Sequence, residues 1–400
     1  MSATASPRTT SIRTADRMPA HTAEPVGALA TLDVLLGRPV SMRALALLRI
    51  LVGPIVLFHL RPFLADALDG RIYRDVFYEP YAAAYPELPR TLYVALLWVG
   101  AAAAVAMTVG LMTRIATATT LAIVAYNLFL STTNMHNNRG FLVIVLAGLA
   151  VGPCGRELSV DAWLRGRRGL PPRPTSAPGW PLWLLRFEAS VVYGASGLSK
   201  LIDPDWFGGT VTWHRVVRVR DQLADSPLPG WTLNVLTDRT FHTYAAKVIV
   251  LTELFIALGL WWRSTRYTAV WVAVCFHVVI QITARVEVFS FLGIAALVIW
   301  AVPSTRDRVL VIDPDRTSAR RLAGAVRRLD WLARFRIERG LPGAPVTVID
   351  RDGRSLTGAR GVTLALSRLP LTAWPALPAA LRPAVPETAP GGAGNSSRVP

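Results

Sequence analysis

Residues 181–206 read PLWLLRFEASVVYGASGLSKLIDPDW. The first 21 positions are largely apolar, and a helix of about 20 such residues is long enough to cross a lipid bilayer. The apolar run closes just after Lys200, and acidic residues and Trp206 follow it. Of the 43 basic residues in the chain, only Lys200 and Lys247 are lysines. The stretch therefore predicts a membrane-spanning helix that ends on a rare amine.

The composition of the whole chain agrees with a membrane protein. Apolar residues make up 52% and charged residues only 17%, whereas soluble domains carry about 25% charged residues. The mean hydropathy is +0.38. We therefore predict an all-α polytopic membrane bundle of about eight transmembrane helices. The candidate segments are 42–60, 91–112, 114–131, 140–153, 182–201, 244–262, 267–284 and 287–303.

The distribution of arginine predicts the orientation of these segments. The formal charge is +17, and the arginines of the 154–180 loop, Arg114 and the Arg263/Arg266 pair fall on the same side as both termini. Cytoplasmic loops are enriched in arginine and lysine. We therefore expect a multi-pass protein of the cell membrane with cytoplasmic N- and C-termini, whose main partner is the lipid bilayer. Because no basic stripe interleaved with aromatic residues occurs, we expect no nucleic-acid binding.

The composition also divides the chain. Residues 1–40 are rich in Ser, Thr, Ala and Arg, which predicts a disordered cytoplasmic tail, and residues 41–303 form the transmembrane domain. Residues 304–385 predict a small α/β soluble domain, with a strand, an amphipathic helix bearing Leu322, Val326 and Leu329 on one face, and a hairpin with Asp-Gly at its turn. The Pro/Gly/Ser-rich residues 386–400 are expected to be disordered.

Ionisable residues inside apolar segments are costly and are therefore candidates for function. Near the cytoplasmic side we expect Arg49 to pair with Glu188, next to Arg186, as a structural contact. Glu253 and His277 fall near the middle of two antiparallel segments. They predict a buried hydrogen-bonded pair, which could be a packing contact or a proton relay.

A second group of polar residues is expected at the outer ends of the segments. Its members are His59, His136, Asn137, Asn138, Arg139, Tyr193, Lys200 and Trp206. Each residue could have a purely structural role, as a helix cap, a loop residue or a lysine that reaches the interface. Their common depth in the membrane nevertheless favours a functional site. No metal-ligand pattern is present, and a disulfide between Cys154 and Cys275 is not expected.

The helical period places Lys200 within this group. Tyr193, Ser196 and Lys200 share one face of a helix, and the small residues of YGASGLSK allow neighbouring helices to approach closely. Lys200 should therefore face the bundle. A lysine removed from water can release its proton and act as a base, whereas an arginine stays charged. Two interpretations stay open, a catalytic base and an interfacial anchor.

Four stretches resemble the HTTM (horizontally transferred transmembrane) domain, the membrane part of vitamin K-dependent gamma-carboxylase and its bacterial relatives. They are LALLRILVG at 45–53, GLMTRIATATTLAIVAYNLFLSTTNMHNNRGFL at 110–142, VVYGASGLSKLIDPDWFGG at 191–209 and TELFIALGLWWRSTRYTAVWVAVCFHVVI at 252–280. The resemblance covers about residues 41–303.

The resemblance implies that Lys200 is the base that deprotonates a vitamin K-type hydroquinone, and so implies a quinone-type cofactor. Asn137 and Asn138 match the family as well, but Arg139 stands where the carboxylase has a histidine. The long lumenal region that binds propeptide and substrate has no counterpart in these residues. Both departures argue against glutamate carboxylation. Two function classes remain: a carboxylase-like or quinol-linked membrane enzyme, and a non-catalytic scaffold or peptide export/immunity component with a peptide or protein partner.

The C-terminal residues resemble a second family. VIDPDRTSARR at 311–321 is similar to the first strand and active-site loop of the DCC family, whose domains are thioredoxin-like. Arg316 and Ala319 replace the two cysteines of that family. Without a thiol, disulfide exchange has no nucleophile. The resemblance thus implies a degenerate, redox-inert thioredoxin-like domain.

Overall fold

The computed structural model describes residues 27–71, 85–225, 229–283, 286, 288–369 and 372. Helices dominate this part of the chain. In chain order they are α1 Ala28–Gly37, α2 Arg43–Leu68, α3 Arg90–Val109, α4 Thr113–Phe129, α5 Asn137–Val151, α6 Val160–Arg167, α7 Trp180–Ile202, α8 Pro204–Phe207, α9 Thr210–Val217, α10 Arg220–Ala224, α11 Gly230–Thr237, α12 Arg239–Gly259, α13 Arg266–Thr283, α14 Phe289–Ala296, α15 Val298–Ala301, α16 Thr317–Leu329 and α17 Gly358–Ser367.

All eight apolar segments of the sequence are helical, in α2, α3, α4, α5, α7, α12, α13 and the α14–α15 pair. Four of these helices, α2, α3, α12 and α13, are long and apolar enough to cross a membrane by length and composition. Large apolar side chains stay on their outer surface, such as Trp98, Leu251 and Ile282, which are 57%, 66% and 72% exposed. Such a surface is suited to contact with lipid.

The helices form a bundle in which sequence neighbours pack together. α2 packs on α3, α3 on α4, α4 on α5, and α5 on α7. α7 then packs along α12, α12 on α13 and α13 on α14, which returns to α2. One continuous apolar core runs through this bundle, from Val40 to Val302. The arrangement brings the C-terminal half of α7 against α12 and α13, where the candidate base lies.

The expectation that residues 1–40 form a disordered tail is wrong for the part that the structure describes. Residues 27–40 include α1 and the start of strand β1, Pro39–Ser41, which pairs antiparallel with β2, Ser176–Pro178. Val40 is buried in the bundle core. Composition alone predicted a tail. Strand β1 is instead ordered by backbone pairing with a distant loop, and the local sequence does not reveal such a pairing. Residues 1–26 lie outside the described residues.

The C-terminal segment contains the predicted strand, amphipathic helix and hairpin. β3, Arg308–Ile312, leads to α16, and then come β4, Phe335–Arg339, β5, Thr347–Ile349, and β6, Ser355–Thr357. The helix ends at Leu329, however, and strand β4 and helix α17 were not predicted from the periodicity. The sheet order is β4-β3-β5-β6, with β3 and β4 parallel and the other pairs antiparallel. Leu322, Val326 and Leu329 pack in its core, and Gly353 provides the positive φ of the hairpin turn. The tail 386–400 lies outside the described residues.

Candidate functional site

Lys200 lies near the end of α7 and is bound by two side chains. Its Nζ donates to Ser196 Oγ at 2.6 Å and to Glu253 Oε1 and Oε2 at 2.7 and 2.8 Å. The Lys200 side chain is 16% exposed and that of Glu253 only 5%. An ammonium has three hydrogens to donate, so these three contacts satisfy it fully. The two residues form an ion pair that is largely removed from water.

The direction of the Lys200 side chain follows from helix geometry. Side chains in an α-helix tilt towards the helix N-terminus and meet the residue four positions earlier. In α7 that residue is Ser196, which accepts the hydrogen bond from Lys200 and itself donates to Glu253 Oε1 at 3.0 Å. The amine therefore points back along α7 into the bundle. The Lys200 side chain is therefore directed towards Ser196 and Glu253 rather than away from the bundle.

The small residues of α7 bring the carboxylate within reach. A Cβ atom added at Gly197 would lie 3.2 Å from Glu253 Cβ and 3.1 Å from the Leu254 side chain. α12 therefore runs close against α7 at the level of Gly197, one turn before Lys200. The predicted close approach of helices at this stretch is confirmed. It brings the carboxylate of Glu253 within hydrogen-bond distance of the Lys200 amine.

The ring of Trp206 covers the amine of Lys200. The Lys200 Nζ atom lies 5.1 Å from the centroid of the Trp206 ring, and the Arg215 guanidinium lies 5.6 Å from it. Asp203 fixes this turn, because its carboxylate accepts from the backbone N–H groups of Asp205 and Trp206. An aromatic face over a cation stabilises it by about 0.5–1 kcal/mol or more. Trp206 thus lies directly against the Lys200 amine.

Tyr193 and His277 form a second polar contact deeper in the bundle. The Tyr193 hydroxyl and His277 Nε2 are 2.6 Å apart, and both residues are buried. Gly293 of α14 leaves space for the imidazole, since a Cβ there would lie 2.2 Å from His277 Nε2. Tyr193, Ser196 and Lys200 therefore line one face of α7, and each meets a polar partner. The predicted common face is confirmed.

The predicted hydrogen bond between Glu253 and His277 is wrong. Glu253 binds Lys200 and Ser196, and His277 binds Tyr193. The physical reason is that the two residues lie at different heights along the axis of α7. Glu253 is level with Gly197, whereas His277 is level with Tyr193, one turn closer to the start of α7. Each therefore finds its partner on α7 rather than on the other's helix.

The predicted pair between Arg49 and Glu188 is also wrong. Arg49 is fully buried, and its guanidinium donates instead to backbone carbonyls at the end of α3 and in the loop that follows α5. The carbonyls belong to Met107, Thr108, Cys154 and Leu158. The last carbonyls of a helix have no partner inside it, so an arginine can take them without any carboxylate. Glu188 stays half-buried on α7.

Arg186 has a similar structural role. It donates from Nε and Nη2 to the Ile299 carbonyl at 3.1 and 2.7 Å, and from Nη1 to Ser304 Oγ at 3.2 Å. Its guanidinium also lies over the rings of Trp183 and Trp300. Arg49 and Arg186 thus tie helix ends together, and both lie away from Lys200.

The polar run at 136–139 makes its own contacts. His136 is the N-cap of α5, where its Nδ1 accepts from the Asn138 backbone at 3.3 Å, and Asn137 is exposed. Arg139 donates to the Asn134 carbonyl and lies 5.0 Å above the ring of Phe63. His59 is buried and meets the same Phe63 ring edge-on. Arg139 and His59 therefore share an aromatic contact, while Lys200 contacts Ser196, Glu253 and Trp206.

The chemistry of the site centres on an amine and a carboxylate within proton-transfer distance. Both residues are candidates from the sequence alone, but their pairing is not, and Ser196 was predicted on the correct face of α7 without an assigned role. The pairing could not be predicted because the sequence does not show which residue of α12 lies level with Gly197. The arrangement can exchange a proton between Lys200 and Glu253 beneath the ring of Trp206.

Comparison with known proteins assigns residues 37–304 to a protein family. Searches of curated proteins and of solved structures gave no match. The family model of the HTTM domain matches residues 37–304. This match spans α2 to α15 and includes every residue of the Lys200 site. Because it covers more than half of the 400 residues, this membrane protein belongs to the HTTM domain family.

Proposed function

We propose that the eight apolar segments all cross the cell membrane, with both termini in the cytoplasm. Support comes from the helical fold of every segment and from the arginines that collect in the 154–180 loop and at Arg263 and Arg266. α14 and α15 then act together as the last crossing. In this orientation Lys200 and Trp206 lie towards the outer face.

We further propose that Lys200 is a base towards a quinol-type oxygen acid, as in the vitamin K-dependent carboxylase that the HTTM family includes. The observation that carries this proposal is the contact of Lys200 Nζ with both oxygens of buried Glu253, at 2.7 and 2.8 Å. A carboxylate so placed can take one proton from the ammonium. The transfer removes two charges from a site shielded from water, where charges are costly.

The step balances as a proton transfer. The ammonium of Lys200 gives a proton to Glu253, which leaves a neutral amine and a carboxylic acid. The lone pair on the Lys200 nitrogen then accepts the proton of the quinol O–H, and the quinolate oxygen keeps the bonding electrons. Trp206 lies over the amine and offers an aromatic face to a planar ring.

Replacement of Lys200 by arginine tests this function. Arginine keeps the charge and the reach to Glu253 but cannot act as a base. We expect Lys200→Arg to insert and fold. It should no longer deprotonate an added hydroquinone, as measured by the absorbance of the hydroquinone, and should lose any reaction of a co-purified quinone. Lys247→Arg is the matched control, because Lys247 is the other lysine and its ammonium lies over the rings of Phe207 and Tyr244. Full activity in Lys200→Arg together with loss in Lys200→Ala would make Lys200 a counter-ion instead.

A non-catalytic function is the second candidate, as a membrane scaffold or a peptide export or immunity component. One observation favours it: all three hydrogens of the Lys200 ammonium already have acceptors, as in a structural ion pair. Such a pair should tolerate Lys200→Arg. The same experiment therefore separates the two functions.

For the C-terminal segment we propose a thioredoxin-like domain of the DCC type that has lost its redox chemistry. The sheet order β4-β3-β5-β6 with a helix after β3 supports this fold. Arg316 and Ala319 stand at the start of α16, where the cysteines of that family would lie, and Ala319 is buried. The purified chain should therefore reduce insulin disulfides no faster than buffer does. A role in binding a peptide or protein partner remains for this domain.

A further inference from the structure

A cavity of about 310 Å³ opens at the end of the bundle opposite Lys200. It lies where α4 begins and α5 ends, and its wall includes the loop residues that follow α5. Arg114, Arg156 and Arg173 come from three separate segments and line the same cavity. Asp161 is the acidic residue among the lining groups. Three positive charges and one negative charge leave a net charge of +2 on the wall.

The aspartate does not neutralise these arginines. Asp161 Oδ1 accepts from the Met112 N–H at 2.8 Å, and Oδ2 accepts from the N–H and hydroxyl of Thr113 at 2.8 and 2.7 Å. Its carboxylate therefore caps the first turn of α4. Burial raises the pKa of Asp161, but these hydrogen bonds outweigh burial, with a smaller contribution from Arg173, so the pKa is lowered on balance. Asp161 belongs to the wall of the cavity and not to its ligand.

The three arginines retain charge for a ligand. Arg156 Nη1 donates to the carbonyls of Pro174 and Ser176 at 3.1 and 2.7 Å, which fixes the side chain without cancelling its charge. Arg114 and Arg173 are exposed. Among the described residues no carboxylate lies within 4.0 Å of any of the three guanidinium groups. An anion therefore fits such a wall.

The apolar part of the wall narrows the class of anion. Val151, the last residue of α5, lines the cavity and is 53% exposed. Ile115 and Met112, beside Arg114 at the start of α4, are 60% and 59% exposed. The cavity therefore carries guanidinium groups and the apolar side chain of Val151 in its wall, and exposed apolar side chains flank Arg114 in the sequence. Basic pockets between membrane helices on the cytoplasmic side bind lipid phosphates in this way.

We propose that this cavity binds the phosphate headgroup of an anionic phospholipid, with Arg114, Arg156 and Arg173 as its ligands. The depth of the site rests on the proposed membrane crossing of α4 and α5, which places their shared end among the headgroups of the cytoplasmic leaflet. Guanidinium groups suit a phosphate because their planar donors match its oxygens. The acyl chains then run along Val151 and Ile115. The site is separate from Lys200, so its occupancy does not depend on any chemistry there.

The test uses the full chain in detergent with added lipid. Dioleoylphosphatidylglycerol, dioleoylphosphatidylcholine and inorganic phosphate are titrated separately, and binding is followed by thermal stability and by native mass spectrometry. The variant is Arg114→Gln with Arg173→Gln, because neither side chain makes a described hydrogen bond. The control is Arg167→Gln with Arg168→Gln, which removes the same charge at the end of α6, from positions that do not line the cavity.

We expect phosphatidylglycerol to stabilise the wild type and the control, and to bind the double variant at least tenfold more weakly, since each basic residue near the headgroups contributes about 1 kcal/mol. Arg114→Lys with Arg173→Lys should restore most of the binding. If the double glutamine variant does not fold, Arg114→Gln alone and Arg173→Gln alone give the same comparison, each with a loss of roughly fivefold. Equal stabilisation by phosphatidylcholine, or equal losses in variant and control, would overturn the site. Stabilisation by inorganic phosphate alone, with no gain from the lipid, would overturn the lipid and leave a phosphate site.

Discussion

Lys200 and Glu253 form an ion pair between α7 and α12, with Lys200 Nζ 2.7 Å from Glu253 Oε1 and both side chains largely buried. The pair lies one turn above the contact of Tyr193 with His277. Two polar layers therefore join α7 to its neighbours, each through a residue on the same face. A site of this construction holds an amine and a carboxylate together in a region where most other side chains are apolar.

The first prediction concerns the energy of this pair. Removal of one partner leaves a buried charge unpaired, which costs about 3–5 kcal/mol in buried sites, and the partial exposure of Lys200 puts the expected loss at the lower end. Glu253→Leu and Lys200→Met should each lower the melting temperature in detergent. The double variant should lose less than the sum, because it leaves no unpaired charge. Lys247→Met serves as the control and should be nearly neutral. Additive losses in the double variant would show that the two side chains do not interact.

The second prediction concerns the orientation of the chain. A cysteine at Asp225, in the loop predicted to be outside, should react with a membrane-impermeant maleimide added to intact cells. A cysteine at Leu170, in the arginine-bearing loop predicted to be cytoplasmic, should react only after the cells are opened. Cys275 is exposed on the bundle and is replaced by alanine in both. The reverse labelling pattern would invert the proposed topology.

Sequence could predict the face of α7 but not the partner of Lys200. Tyr193, Ser196 and Lys200 share a face because the helical period is a property of one helix, and the structure confirms it. The partner depends on the axial offset between two helices. α12 begins at Arg239 rather than at 244, so the depth of Glu253 within its segment was misjudged. Only the close contact at Gly197 sets that offset, and it involves residues 56 positions apart along the chain.

The same limit explains the misplaced arginines. The sequence identified Arg49 and Arg186 as buried cations, and both are buried. It paired Arg49 with a carboxylate, because a buried charge is expected to find an opposite charge. The true acceptors are backbone carbonyls at helix ends and in the loop after α5. Every residue carries such a carbonyl, so these acceptors leave no signal in the sequence.

The third prediction concerns the space around His277. In Gly293→Ala the new Cβ would lie 2.2 Å from His277 Nε2, so the imidazole must move and lose its hydrogen bond to Tyr193. Overpacking of this kind costs about 1–3 kcal/mol, seen as a lower melting temperature. Gly140→Ala is the matched helical control, because a Cβ there meets nothing within 4 Å. It should keep or slightly raise stability, since alanine favours helix. Equal behaviour of the two variants would contradict the close contact.

The last prediction concerns the C-terminal domain in acid. Burial raises the pKa of Asp350, but the Arg351 N–H and the guanidinium groups of Arg308 and Arg368 outweigh it, and the pKa is lowered on balance. Arg308 Nε lies 2.7 Å from Asp350 Oδ1. A carboxyl whose pKa is lower in the folded state contributes stability above its unfolded pKa of about 3.9, and the contribution is lost as the pH falls through the folded value.

Hydrogen exchange of residues 347–357 in the full chain, corrected for the intrinsic rate, should therefore accelerate below about pH 4. In Asp350→Asn the protection should be weaker at neutral pH and should change less as the pH falls over the same range. An unchanged pH profile in this variant would mean that another carboxyl controls the acid response. Asp352→Asn is the control that should resemble the wild type, because the Asp352 carboxylate accepts from the Arg354 N–H at 3.1 Å and forms no ion pair among the described residues.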